Sequence, residues 1–132
     1  ANVARVFKAA SYSEQVHASA HLDTLEGIGS TSENLAGAMA GEGFEIAEMY
    51  PAYMAVAEDQ GEEDAKVSFH QALEAEKVHH GLYGRAKAAV DAGGDLELGQ
   101  LWVCTSCGYT MEGEPPARCP ICTAPRKLFT EF

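Results

Sequence analysis

The stretch GEGFEIAEMYP (Gly41–Pro51) places carboxylates at Glu42, Glu45 and Glu48 in a segment that is otherwise mostly apolar. Glu42 and Glu45 are three apart, so on a helix they share a face with apolar side chains such as Met39 and Met49. Burying carboxylates without a partner is very costly. The stretch therefore predicts a helix whose inward-facing acids meet a positive group.

The composition of the chain excludes some classes of function. The chain has 132 residues, 46% of them hydrophobic, and a formal charge of −11 from 9 basic and 20 acidic residues. This size fits one domain, or a bundle with a small appendage, and the charge argues against a nucleic-acid or anionic-membrane partner. No apolar run approaches the ~20 residues of a membrane span, and no signal peptide is recognised at the start, so a cytoplasmic location is expected.

Helical periodicity predicts three helices, over residues 2 to about 25, 30 to about 60, and about 62 to 90. Ser30 and Glu33 have the spacing of a capping box at the start of the second helix, and Gly61 is its end signal. Pro51 lies inside that helix and is expected to kink it. Two helices of this length favour an antiparallel bundle.

An internal repeat relates the first and third helices. FKAASYSEQVH (Phe7–His17) and FHQALEAEKVH (Phe69–His79) share Phe, Ala, Glu, Val and His at a constant offset of 62 residues. Each copy carries Glu-x-x-His, which projects both side chains from one side of its helix. The two pairs are Glu14 with His17 and Glu76 with His79.

Bringing these faces together with Glu42 and Glu45 would place four carboxylates and two imidazoles around one point. Oxygen and imidazole ligands suit iron or manganese, and Glu-x-x-His from two helices with Glu from two others is the ferritin-like di-iron arrangement. The predicted fold is therefore mainly α, a ferritin-like antiparallel four-helix bundle. Only one helix in the sequence supplies a Glu ligand without a His, whereas the arrangement needs two. We therefore expect a further helix whose Glu lies about 20 residues before Ala1, or a helix from a partner chain.

All four cysteines form two Cys-x2-Cys pairs separated by 11 residues, Cys104 with Cys107 and Cys119 with Cys122. In a reducing compartment this pattern predicts a metal site in which four thiolates surround one ion. The spacing leaves iron and zinc open.

The last segment is too short to bury a useful core without that metal. The expected division is a helical di-iron domain over 1–92, a linker over 93–101 and a small four-cysteine domain over 102–132. Trp102 and Phe129 are expected to cover the cysteine site.

Three segments resemble the rubrerythrin family and occur in the family's order: GEGFEIAEMYP, AEKVH (Ala75–His79) and the rubredoxin-like CTSCGY…CPIC. The resemblance extends from the first residue to Phe132 and lacks only the family's first helix. It implies two irons in the bundle and, because Tyr109 and Pro120 fit the rubredoxin-like pattern, one iron in the four-cysteine site, which zinc can replace in overexpressed protein. The implied di-iron ligands are Glu14, Glu42, Glu76 and His79, with Glu45 as an additional carboxylate and His17 exchanging with Glu45 as the oxidation state changes.

The resemblance also implies a function. It predicts a peroxidase that reduces hydrogen peroxide to water, protects against oxidative stress, and receives electrons through the rubredoxin-like iron from a separate NAD(P)H-linked reductase or a rubredoxin. Glu45 and His17 are the implied catalytic residues. The chain has no Gly-rich dinucleotide fingerprint, so no flavin or nicotinamide site is expected. A homodimer is expected, either head-to-tail, with one subunit's tail facing the other's irons, or with swapped helices.

Two other interpretations remain open from the residues. One is a ferroxidase or iron-handling protein that prefers oxygen, and the other is a non-enzymatic module whose tail is a zinc ribbon. Charged residues on helices are usually solvated, and only the repeat together with the resemblance favours ligands. For Tyr50, a hydroxyl that contacts a carboxylate ligand competes with ordinary core packing.

Overall fold

The computed structural model describes all 132 residues. It contains three long helical rods followed by a small sheet, and none of its helices is long and apolar enough to span a membrane. The helical elements are α1 (Asn2–Thr24), α2 (Thr31–Phe44), a π-helical segment (Glu45–Met49), α3 (Tyr50–Gln60) and α4 (Glu63–Asp91). The strands are β1 (Leu101–Cys104), β2 (Thr110–Glu112) and β3 (Phe129–Glu131).

The second rod consists of α2, the π-helical segment and α3, and its two ends follow local signals in the sequence. The Ser30 hydroxyl accepts from the Glu33 N–H at 3.3 Å, and the Glu33 carboxylate accepts from the Ser30 N–H at 2.8 Å. This confirms the capping box. Gly61 ends the rod in the left-handed region, with φ of 72°, which glycine adopts without a steric penalty.

The chain forms a π-helical turn just before Pro51, and the kink predicted there stays a prediction. The Tyr50 N–H donates to the carbonyl of Glu45, five residues back. In a continuous α-helix the Pro51 ring would clash with the carbonyl of Ala47 and remove one hydrogen bond. The wider turn lets α2 and α3 continue as one rod, and it is here that Glu45 lies.

The second rod packs antiparallel against α4. Ala57 and Ala75 are buried between the two rods. The Tyr53 and Phe69 rings lie 5.5 Å apart between centroids, and a methyl group on Gly84 would come within 3.5 Å of the Met39 side chain. The two rods therefore form a helical hairpin, which supplies the scaffold of the site.

Helix α1 stands apart from this hairpin. Every residue from 1 to 31 is exposed, and α1 makes no extensive contact with another helix or strand. Its exposed side chains include apolar ones, namely Val3, Val6, Phe7, Val16 and Leu22. The mainly helical class with a four-cysteine strand domain is confirmed, but within this chain the bundle consists of the hairpin alone.

The tail is a three-stranded antiparallel sheet in the order β2-β1-β3. Cys104, Cys119 and Phe129 are buried in its centre, and Trp102 packs against them. The expectation that Trp102 and Phe129 cover the cysteines is confirmed. The sheet has little other core, which fits a segment organised around a metal.

The tail lies on α4 of its own chain. An Arg85 N–H donates to the Glu112 carboxylate at 2.6 Å, and a second donates to the Glu97 carbonyl at 3.3 Å. The other Glu112 oxygen accepts from the Gly99 N–H at 2.9 Å. Within this chain the linker folds back along α4, and the expected head-to-tail placement, with the tail against a partner's site, stays a prediction.

Candidate metal centres

The hairpin brings together Glu42, Glu76 and His79, whose ligand atoms all lie within 4.8 Å of one another. The His79 Nδ1 atom is 2.8 Å from a Glu76 oxygen and 3.7 Å from a Glu42 oxygen. Glu42 comes from α2, whereas Glu76 and His79 lie one turn apart on α4, as their spacing predicts. The side chains are 14%, 17% and 30% exposed, so they converge in a mostly buried place.

The electrostatics of this cluster favour a bound cation. Burial raises the pKa of Glu42, and the charge of Glu76 raises it further, against the opposite effect of His79. Two carboxylates so close together are costly to ionise unless a positive charge lies between them. Oxygen and imidazole donors suit iron, so the residues present fit the iron ions that the sequence predicts.

Tyr50 contacts the same cluster. Its hydroxyl lies 3.4 Å from a Glu76 oxygen, at a distance and angle that let it donate. Burial, and then the charges of Glu76 and Glu45, raise the pKa of Tyr50, which keeps its proton in place. The ring also lies 6.4 Å from that of Phe69, so the side chain both packs in the hairpin and orients a carboxylate.

Glu45 lies beside the cluster but outside the group of three. It is half-buried on the π-helical segment, and its charge contributes to the raised pKa of Glu42 and of Tyr50. Glu48, one turn further along, is exposed. The role of Glu45 as an additional ligand stays a prediction.

Glu14 and His17 are not brought to the cluster within this chain. They contact each other on α1, with 3.4 Å between His17 Nδ1 and a Glu14 oxygen, and their side chains are 77% and 58% exposed. The contact repeats that of Glu76 with His79, as the internal repeat predicts. Their assignment as ligands stays a prediction, because α1 packs on nothing in its own chain.

The second donor set consists of the four cysteines, whose sulfur atoms also lie within 4.8 Å of one another. Cys104 and Cys122 are 3.7 Å apart, and so are Cys107 and Cys119. Four sulfurs at this spacing can surround one ion tetrahedrally, and both iron and zinc fit.

The backbone of this site has the conformation of a metal knuckle, and burial and hydrogen bonds shift the pKa values of three of its thiols. Gly108 follows its pair of cysteines with φ of 80°, as expected for a tight knuckle, and Thr123 takes the same position in the other knuckle with φ of 62°. Burial raises the pKa of Cys107 and of Cys119. Burial also raises that of Cys122, but hydrogen bonds from the Ala124 backbone and the neighbouring thiols outweigh it and lower its pKa to about 7.

One contact joins the two donor sets. The Nε2 atom of His79 lies 2.9 Å from the Thr110 hydroxyl, and that hydroxyl is 3.3 Å from the carbonyl of Gly108 in the cysteine knuckle. Sequence reasoning missed Thr110, because nothing in its own segment marks it as different from any other threonine of a strand. It also missed Arg85, whose partner is 27 residues away in the chain.

Comparison with known proteins covers both parts of the chain. The profile of the family described as "Rubrerythrin" matches residues 1–87, and the profile described as "Rubrerythrin, rubredoxin-like domain" matches residues 102–130. Both donor sets therefore lie in segments that the two profiles match.

Curated relatives and solved structures give the same result. Rubrerythrin-2 of Clostridium acetobutylicum is 38% identical, over 99% of this chain and 79% of that protein. Rubrerythrin of Porphyromonas gingivalis is 33% identical, over 96% of this chain and 72% of that protein. The structure titled "Fully reduced state of nigerythrin (all ferrous)" is 34% identical with a TM-score of 0.68, over 80% of this chain and 50% of that one. The chain thus spans about half the length of the nigerythrin chain.

Proposed function

This chain belongs to the rubrerythrin family, and we propose that it reduces hydrogen peroxide to water at a di-iron site, with electrons delivered through its four-cysteine iron. The family consists of di-iron, rubredoxin-like oxidoreductases of oxidative stress, and it binds both a di-iron centre and a rubredoxin-like iron. Donor sets for both are present here. The observation that carries the proposal is that His79 belongs to one donor set and contacts the domain that holds the other.

Each residue of the carboxylate site has a separate role in this proposal. Bound iron ions would supply the two electrons that, together with two protons, reduce hydrogen peroxide to two waters. Glu42 and Glu76 would hold the cations through carboxylate oxygens, and His79 would offer Nδ1. Tyr50 holds Glu76 in orientation through its hydroxyl. The charge of Glu45 acts on Glu42, and in this proposal Glu45 would add a negative charge when the ions are oxidised, exchanging with His17 as the resemblance implies.

The proposal includes a homodimer in which α1 of each chain packs on the hairpin of the other. Two unpaired apolar surfaces within one chain support it. One is the exposed stripe of α1 with Val6 and Phe7, and the other is an open groove of about 380 Å³ on the hairpin, lined by Tyr53, Val56 and Phe69 among others. Exchange of α1 would cover apolar surface on both chains and bring Glu14 and His17 towards the cluster.

Electrons for the tail come, in this proposal, from an NAD(P)H-linked reductase or a rubredoxin outside the chain. The four cysteines are free thiols clustered for metal binding, which suits a reducing compartment and so a cytoplasmic location.

Stopped-flow mixing of the diferrous protein with peroxide and with oxygen tests the activity. We expect peroxide to oxidise the site faster, and Glu76→Gln to abolish that reaction because a carboxylate ligand is lost. Glu48→Gln is the matched control, because Glu48 is an exposed carboxylate of the same rod outside the cluster. Faster oxidation by oxygen would instead indicate a ferroxidase. A tail that shows no ferric-thiolate absorption after anaerobic reconstitution with iron and subsequent oxidation would indicate a zinc ribbon.

A further inference from the structure

The charge of the chain is divided unequally between its helical part and its tail. Residues 1–101 carry 6 basic and 17 acidic side chains, a net charge of −11, whereas residues 102–132 carry 3 of each and are neutral. The three cations of the tail are Arg118, Arg126 and Lys127, and the segment 115–128 that contains them has no acidic residue. The tail therefore has a positive segment in a protein that is otherwise acidic.

The backbone brings these cations together at one edge of the tail, formed by residues 116–118 and 126–128, which we call the basic edge. The Arg126 N–H donates to the Ala117 carbonyl at 3.0 Å, and Arg118 pairs with Pro125 in an isolated antiparallel bridge. Every residue of both stretches is exposed. The basic edge is therefore a continuous piece of surface.

Two of the three cations keep their charge free for a partner. The Arg118 guanidinium donates to the Thr123 carbonyl at 3.0 Å, in the turn after Cys122, so its charge lies at the second cysteine knuckle. Neither Arg118 nor Lys127 pairs with a carboxylate. Arg126 pairs with Glu114, which is itself exposed. The basic edge thus carries two charges that the chain does not neutralise.

The basic edge is free of the hairpin. Another side of the tail is covered by α4, where Glu112 pairs with Arg85. In contrast, the side-chain hydrogen bonds and ion pairs of the basic edge all stay within the tail. A partner protein can therefore reach the basic edge while the tail remains docked on α4.

The basic edge also borders both cysteine knuckles. Arg118 immediately precedes Cys119, and the carbonyl of Leu128 accepts from the N–H of Thr105, the residue after Cys104, at 2.8 Å. Leu128 adds an apolar side chain that is 37% exposed. Short-lived electron-transfer complexes use small interfaces, and steering by opposite charge speeds their formation. This edge has the size, the charge and the position that such a complex needs.

We propose that the basic edge is the docking surface for the external electron donor, and that the donor is an acidic one-electron carrier protein. This rests on the proposed function, because it concerns the supply of electrons to that same reaction. In each encounter the carrier loses one electron and is oxidised, and the four-cysteine site gains that electron and is reduced. The cations attract the carrier to the tail, while the acidic helices repel it from the rest of the chain.

Binding tests this surface without turnover. In an NMR titration of the protein loaded with zinc at both sites, an acidic zinc-substituted rubredoxin is the probe. We expect the amides of residues 116–128 to shift most, and binding to fade at 1 M salt, where charges are screened within about 3 Å. Shifts confined to the helices would overturn the proposal.

A charge-matched pair of double variants separates the basic edge from net charge. Arg118→Gln combined with Lys127→Gln should weaken binding of the rubredoxin about tenfold at low salt, because two attracting charges are lost. Arg5→Gln combined with Lys8→Gln removes the same charge from exposed, unpaired cations of α1 and should stay within about twofold of wild type. Equal weakening by both pairs would mean that only net charge matters, contrary to the proposal.

Two single variants guard against an effect of misfolding. Lys127→Gln alters a side chain that makes no hydrogen bond or ion pair, and it should weaken binding about threefold at low salt. Glu114→Gln frees Arg126 from its ion pair and should tighten binding about threefold, which damage to the tail would not do. The proposal fails if Glu114→Gln binds the rubredoxin no more tightly than wild type.

Two other occupants of the basic edge would give different results. Cytochrome c, a basic one-electron carrier, should leave residues 116–128 unshifted, and stronger shifts than with the rubredoxin would overturn the choice of an acidic carrier. A second copy of this chain has acidic helices and is the other alternative. Sedimentation of the Arg118 and Lys127 double variant should match wild type, whereas a shift towards monomer would assign the edge to contacts between copies and overturn the proposal.

Failure of the proposed function would look different. If the diferrous protein did not react with peroxide, the activity would be wrong, yet the zinc-loaded protein would still report docking. If peroxide is reduced, the Arg118 and Lys127 double variant should raise the KM for reduced rubredoxin about tenfold and leave kcat unchanged. An unchanged KM would leave the activity standing and overturn the docking surface alone.

Discussion

Glu42→Gln is expected to stabilise the metal-free protein and to destabilise the metal-bound one. Glu42 and Glu76 oxygens lie within 4.8 Å, and two full charges at that distance repel by about 3.5 kcal/mol at an effective dielectric constant of about 20. His79, 3.7 Å from Glu42, offsets part of this repulsion, and proton uptake relieves more. We therefore expect Glu42→Gln to raise the free energy of unfolding of metal-free protein by about 1 to 2 kcal/mol at pH 8.

The pH dependence follows from the raised pKa of Glu42. The folded protein holds this proton more tightly than the unfolded chain, whose carboxyl has the ordinary pKa of 4.5. The wild-type protein therefore loses stability as pH rises from about 4.5 through the raised pKa, whereas Glu42→Gln does not. The difference in free energy of unfolding between Glu42→Gln and the wild-type protein should be small at pH 4, increase as pH rises and then level off.

Bound metal is expected to reverse the order of stability, so that the wild-type protein becomes more stable than Glu42→Gln. At a free concentration 100 times the dissociation constant, a bound ion adds about 2.7 kcal/mol to the wild-type protein. Glu42→Gln lacks a carboxylate ligand and should gain much less. Urea unfolding at fixed protein concentration, with chelator and with added Fe²⁺ or Zn²⁺, measures both effects, and exposed Glu48→Gln is the control. The reasoning is refuted if metal-free Glu42→Gln is less stable than wild type at pH 8, or if metal stabilises it equally.

Three further perturbations test other parts of the molecule. Cys119→Ser should unfold the tail sheet and leave the hairpin helical, as seen by NMR and circular dichroism, because the buried thiol cluster is most of the tail's core. Arg85→Ala should raise amide exchange in β2 by no more than about fivefold, because the pair with Glu112 is partly exposed. Phe7→Asp should shift sedimentation from dimer towards monomer, because a charge cannot be buried in the interface proposed for α1; an unchanged dimer would exclude that interface.

Local rules predicted the parts of the fold that depend on neighbouring residues. The capping box of Ser30 and Glu33, the end at Gly61 and the pairing of Glu76 with His79 each involve side chains within a few positions. Their geometry is set by the pitch of a helix, so sequence spacing carries it.

The remaining features depend on contacts between distant segments. Pro51 signals a disturbance of the helix, but the π turn that forms before it depends on how both halves of the rod pack on α4. The contact of Thr110 with His79 joins residues 31 apart, and neither residue's neighbours indicate it. The exposure of α1 could not be predicted for a similar reason, since its Glu-x-x-His spacing gives no information on what the helix packs against.

The docked tail and the carboxylate site, which are the two ends of the proposed electron route, depend on dimerisation to different degrees. His79 and Arg85 lie six residues apart on α4, about 9 Å along one rigid helix, so the docked tail and the ligand that it contacts share a single support. Glu14 and His17 have no such support, because α1 is joined to the hairpin only through an exposed segment. If the proposed dimer supplies Glu14 and His17 to the carboxylate site, loss of the partner chain would remove them and leave the contact between His79 and Thr110 in place. A monomer would therefore lose peroxide reduction at the carboxylate site while its tail stayed docked on α4.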